Sequence, residues 1–212
     1  MNILFDILTV ALIGSTSWLI AVRYIASAIR WLALQSFLLA LFTAGIALTA
    51  HRTDLYWVAG ITLLIKAIAI PAILYRVMQR VGLDRQTRVI ARRDRLVTGV
   101  LAMWLVGYYV TPHIAGTLGH KPYLAVAVGM LLGGVLTMIV HEKALMQGIG
   151  LIVMENGLFL AALSTSFGMP FLVDIGVSLD VLVIVVLMGL LTMRMDEQFS
   201  SMHIDKLRRL RG

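Results

Sequence analysis

Three charged side chains fall well inside runs that are otherwise mostly apolar: Lys66, Glu155 and Asp180. Lys66 stands in I-T-L-L-I-K-A-I-A-I, Glu155 in L-I-V-M-E-N-G-L-F-L, and Asp180 in D-I-G-V-S-L-D-V-L-V-I-V-V-L. A charge at bilayer depth costs at least about 2.5–3.5 kcal/mol on insertion scales, so such groups pair, line a wet path or carry protons. Desolvation disfavours an ionised carboxylate and a neighbouring ammonium favours it. A group balanced between the two can release and rebind a proton. The residues therefore leave two readings open. One is a proton path through Lys66, Glu155 and Asp180 in the plane of the membrane. The other is a static Lys66–Glu155 or Lys66–Asp180 pair that only holds helices together.

Four residues stand in support. Asn156 can hydrogen-bond Glu155 or a neighbouring helix. Pro71, five residues past Lys66, is expected to kink its helix and free a carbonyl, making a site for water. Asp174 and Glu142 lie near span ends and read as interfacial. No residue is assigned as catalytic. His51, His113, His120, His141 and His203 are scattered without metal-ligand spacing, and no nucleophile elbow, phosphate loop, dinucleotide fingerprint or zinc motif occurs. With no cysteine the chain cannot ligate an iron–sulfur cluster through thiolates or form a disulfide.

The elements that carry these charges are membrane spans. The chain is 60% hydrophobic, against about 45–50% for a soluble domain, and its mean hydropathy is +0.93. About 20 apolar residues cross the hydrocarbon layer, which predicts seven spans: 3–22, 31–50, 55–75, 98–116, 123–140, 145–164 and 172–193. Lipid offers the backbone no hydrogen-bond partner, so the spans must be helices and the fold class is an all-α membrane protein. Lys66, Glu155 and Asp180 then share one depth, about 12–17 Å from a face. Gly129 and Gly133 in the fifth span, with Gly148, Gly150 and Gly157 in the sixth, predict close helix packing.

The net charge of +7 sits between and after the spans, an orientation signal and not a nucleic-acid surface. Fifteen of the 18 Lys and Arg fall on one side and only Arg52 and Lys121 on the other, which predicts a cytoplasmic C-terminus and an N-terminus outside. The first span, without a basic n-region or cleavage site, is expected to be retained. Four regions follow: a three-helix segment (1–75), a basic cytoplasmic loop (76–97), a four-helix segment (98–193) and a cytoplasmic tail (194–212). The loop's seven arginines, interleaved with Val77, Val81, Val89 and Ile90, predict a short amphipathic helix that touches lipid headgroups or a partner subunit.

The M-E-N-G block around Glu155, and Asp180 before its Val/Ile run, resemble the hydrogenase-4 component E family. Leu34-Gln35-Ser36, and Lys66 with Pro71, extend the likeness along the chain. These proteins are membrane-arm subunits of group 4 nickel–iron hydrogenases and formate hydrogenlyase-type complexes. The part from about residue 140 also resembles the K subunit of respiratory complex I and the C subunit of Mrp-type antiporters. Asp180 falls where their second membrane glutamate stands. Glu155 falls three residues past the first, about 4.5 Å along the helix. The resemblance implies a multi-pass subunit in a prokaryotic inner membrane, without cofactors of its own. The nickel–iron centre and iron–sulfur clusters would be held by partner chains. It implies antiporter-like and other hydrogenase membrane-arm subunits as partners, a peripheral arm met through the loop or tail, and no nucleic acid. The alternatives are a subunit of a cation/proton antiporter without a redox partner, and a structural scaffold with static ion pairs.

Overall fold

The computed structural model describes residues 2–51, 53–80, 93–115 and 122–166, and every regular element among them is a helix. Helices α1 (Asn2–Ala21) and α2 (Ile25–Ala50) are joined by three residues. The last of these, Tyr24, is extended (φ −120°, ψ 124°), and its carbonyl accepts from the N–H groups of Ser27 and Ala28. So short a link forces the two helices antiparallel. Helix α2 stops at His51, whose φ of 50° puts it in the left-handed region and turns its N–H onto the Ala47 carbonyl.

A long rod follows, made of α3 (Thr53–Ile61), a π-helix (Thr62–Ala69) and α4 (Ile70–Arg80). Helices α5 (Arg93–Ala115), α6 (Pro122–Val140) and α7 (Ala144–Ser166) complete the described chain. His141 to Lys143 link α6 to α7, and the Lys143 carbonyl accepts from Met146 and Gln147 to start the last helix.

Five helical stretches are long and apolar enough to cross a membrane: Ile3–Ala21, Ile25–Ala50, Thr53–Gln79, Tyr123–Val140 and Ala144–Thr165. Helix α5, whose uncharged stretch carries Trp104, Tyr108, Tyr109, Pro112 and His113, is not among them. The expected seventh span, with Asp174 and Asp180, lies outside the described residues, as do Val81, Val89, Ile90 and the tail.

Three boundaries differ from those expected. Helix α2 begins six residues before residue 31, because Ile25, Ala28, Ile29 and Leu32 are buried on one face. Arg30 is exposed and does not interrupt the helix. Helix α4 runs on to Arg80, and α5 starts at Arg93, so Arg76, Arg80, Arg93 and Arg95 sit on helix ends instead of in a loop. A charged residue at a helix end can hold its head in water while the helix continues.

The interior is layered. At one end an apolar cluster joins Leu19, Ile25, Leu32, Leu74, Met146 and Ile152. At the other, a second cluster joins Leu12, Leu39, Phe42, Val58, Met130 and Phe159. Between the two, each of four elements turns polar. Ser15 and Thr16 fall between Leu12 and Leu19 on α1, and Gln35 and Ser36 between Leu32 and Leu39 on α2. Thr62 and Lys66 follow Val58 on the rod, and Glu155 and Asn156 separate Val153 from Phe159 on α7. The outer faces are apolar too, with Trp18, Trp57, Leu101 and Ile139 exposed, as a lipid-facing bundle requires.

Helices α6 and α7 pack backbone to backbone. A Cβ on Gly134 would lie 2.5 Å from the Gly150 carbonyl and 2.5 Å from the Met154 nitrogen, and one on Gly157 would lie 2.6 Å from the Leu131 nitrogen. Glycine alone permits that approach. This contact fixes the axis of the helix that carries Glu155.

Candidate functional site

Lys66 Nζ donates to Glu155 Oε1 at 2.5 Å, joining the π-helix to α7. The lysine side chain is 0% exposed and the glutamate 7%, so neither charge faces bulk water. The same ammonium lies 4.7 Å from the centre of the Phe159 ring, one turn further along α7, a geometry in which the ring face attracts the cation. Among the described residues Glu155 Oε2 has no hydrogen-bond partner.

Lys66 owes its position to the π-helix. The Ile70 N–H bonds the carbonyl of Ile65, five residues back. The next donor in that ladder would belong to Pro71, which has no N–H, so the Lys66 carbonyl lacks the partner the π register would give it. The wider turn therefore falls where the helix loses a bond, and stretches of this kind often mark functional sites. Pro71 is buried and lies in the first turn of α4, directly after the π-helix.

Asn156, next to Glu155, faces the other way, toward α2. Its Nδ2 donates to Gln35 Oε1 at 3.3 Å and to Ser36 Oγ at 3.2 Å. Gln35 Nε2 donates in turn to Thr16 Oγ1 at 2.7 Å on α1, and Thr16 passes its own hydrogen to the Leu12 carbonyl. All four side chains are buried. A polar layer thus crosses the bundle from the π-helix through α7 and α2 to α1, as a charged pair and a separate hydrogen-bonded chain, closed above and below by hydrocarbon.

Of the residues expected to matter, Lys66 and Glu155 are in direct contact, and Asn156 reaches a neighbouring helix instead of Glu155. Pro71 ends the turn that holds Lys66. Glu142 is exposed in the link before α7, as an interfacial residue would be. Asp180 and Asp174 lie outside the described residues. Gln35, Ser36, Thr16, Thr62 and Phe159 are additions. Gln35 and Ser36 belong to the block read as the opening of a span, but with α2 starting at Ile25 they sit near its middle. Their signal was the pairing of two polar residues inside an apolar run. Among the described residues no three His, Asp or Glu side chains converge.

No protein-family model matches the chain, and no solved structure matches it. Among curated proteins it is similar to an uncharacterized protein of Mycobacterium tuberculosis, with 35% identity over 85 residues, 40% of this chain and 39% of that protein. It is also similar to hydrogenase-4 component E of Escherichia coli and of Shigella flexneri, each 34% identical over 94 residues. That match covers 44% of this chain and 44% of each relative, so the chain spans less than half the length of the curated relatives it matches. Over that portion the chain is similar to hydrogenase-4 component E, which supports the resemblance first read from its M-E-N-G block.

Proposed function

We propose that this chain is an integral membrane subunit of a hydrogenase-4-like complex, and that Lys66 and Glu155 form part of a proton path in the membrane plane. The observation that carries the reading is the buried pair at the middle of the bundle, with one carboxylate oxygen on the ammonium and the other unpartnered. A pair kept only for cohesion gains most when every lone pair is satisfied. A carboxylate with one oxygen open can accept a proton there while its partner still holds it. In this reading Asp180 supplies a further carboxylate, and the chain has no catalytic centre. Electron transfer and hydrogen chemistry belong to partner chains that hold nickel, iron and sulfide. The seven-span topology, the cytoplasmic basic loop and contacts with antiporter-like subunits are parts of the same proposal.

A second reading has an observation of its own. The 2.5 Å contact and the Phe159 ring together clamp the lysine, as a static tie between α7 and the π-helix would. Glu155→Gln separates the two, because it keeps the shape and removes the ionisable group. In the assembled complex in proteoliposomes the relay predicts that ion movement driven by hydrogen turnover falls by about a hundred-fold or more. Full ion movement in an assembled Glu155→Gln complex would leave only the tie. Co-purification with a nickel–iron large subunit tests the hydrogenase assignment, and its absence alongside intact cation/proton exchange would favour a free-standing antiporter.

A further inference from the structure

The buried hydroxyls of this bundle follow one habit, and Thr62 breaks it. Thr16, Thr43, Thr111, Thr137 and Ser164 each donate to the carbonyl four residues back, and Ser15 to the one three back. Ser36 accepts from Asn156. Thr62, which opens the π-helix and is 0% exposed, has no partner for its hydroxyl. Two other side-chain atoms share that condition among the described residues, Glu155 Oε2 and Asn156 Oδ1. All three belong to the one polar layer and none to the apolar clusters.

The chemistry of the three atoms restricts what can satisfy them. A carboxylate oxygen and an amide oxygen only accept, so they cannot satisfy each other. A group that meets either one must bring hydrogens, and the Thr62 hydroxyl has a hydrogen that it does not give to its own helix. A bare monovalent cation at Glu155 Oε2 would stand against the Lys66 ammonium, which is bonded to the same carboxylate. Water has two donors and two acceptor sites, and buried water habitually serves unsatisfied polar groups of this kind.

We propose that Thr62, Glu155 and Asn156 form an internal water site between the π-helix, α7 and α2. Water donating to Glu155 Oε2 and Asn156 Oδ1 joins the charged pair to the Asn156–Gln35–Thr16 chain and carries the polar layer unbroken toward α1. Water is held there whether or not ions move. Its role as the route by which a proton leaves Glu155 rests on the relay proposed above.

A high-resolution electron cryomicroscopy map of the full chain in lipid nanodiscs tests the site. Ordered water density at hydrogen-bond distance from Glu155 Oε2 and Asn156 Oδ1 is expected, and its loss in Thr62→Val. Direct closure of these atoms on protein groups overturns the site. So does density that disappears when sodium is replaced by choline, which would mark a cation. The role is tested by ion movement in the assembled complex. Thr62→Val is expected to slow it by about ten-fold, the rate equivalent of one lost hydrogen bond. Unchanged movement in Thr62→Val beside loss in Glu155→Gln overturns the water route and leaves the relay standing. Unchanged movement in both overturns the relay, and the map alone then decides the site.

Discussion

At the scale of single residues, the Lys66–Glu155 contact sets one cost against another. Two ions taken out of water lose solvation, and their attraction restores it only when the remaining lone pairs are also bonded. Here Glu155 Oε2 is bonded to none of the described residues, and the ring of Phe159 is a weaker partner for the ammonium than a second carboxylate. Removing one member strands the other charge, so Lys66→Met and Glu155→Leu should each lower stability by about 3–5 kcal/mol. Removing both exchanges the pair for hydrocarbon, and the double variant should recover most of that loss. Thermal unfolding of the three variants in lipid nanodiscs would show it, and a double variant as unstable as the sum of the singles would refute it. Recovered stability with lost ion movement is the pattern of a pair kept for transport. Lys66 and Glu155 were legible in the sequence because a charge in an apolar run has few explanations. That they touch each other was one of two options open for Lys66, since depth along separate helices does not give the angle around them.

At the scale of elements, what was hidden is what depends on helix phase. The start of α2 was set too late because Arg30 read as a loop residue, and this displaced Gln35 and Ser36 from mid-helix to a helix end. Thr62 and the π-helix carry no compositional mark beyond Pro71, whose missing N–H signals a broken bond without saying how the turn absorbs it. The glycines were legible as close-packing residues but not by partner. Gly133 abuts Thr16 and Met103, and Gly129 abuts the Trp104 ring. The backbone contact between α6 and α7 uses Gly134, which no expectation singled out. A methyl group on Gly134 would meet backbone on both sides, so Gly134→Ala should separate α6 from α7 and cost about 1–3 kcal/mol. Gly14, on α1, has nothing within 4 Å of where a Cβ would stand, and Gly14→Ala should be neutral or stabilise by up to about 1 kcal/mol. Comparing the two in thermal unfolding separates lost helix–helix approach from any general effect of glycine replacement. Equal effects would refute the assignment.

At the scale of the whole molecule, the ends of the bundle carry the charge pattern. His141 Nε2 lies 3.3 Å from the Val22 carbonyl and its Nδ1 2.9 Å from the Thr137 carbonyl, so the α1–α2 link and the α6–α7 link lie side by side. Met78, near the end of α4, packs in the same cluster as Val22, Ile25 and Leu145. Arg23, Arg76 and Lys143 therefore approach one face of the bundle, while the α2–α3 turn at His51 closes the opposite face. In the proposed topology the first face is the cytoplasmic one, the side to which the positive-inside rule assigns the excess of lysine and arginine. The chain has no cysteine, so single replacements report position without background. Thr53→Cys, exposed beside the α2–α3 turn, should react with an impermeant maleimide on intact cells. Glu142→Cys, exposed in the α6–α7 link, should react only after permeabilisation. In the proposed seven-span topology Ser201→Cys in the tail should behave like Glu142→Cys, because a span over 172–193 would return the chain to the side from which α7 starts. A tail labelled from outside would remove that segment from the list of spans and with it Asp180 from the proton path, while leaving the Lys66–Glu155 pair where it is.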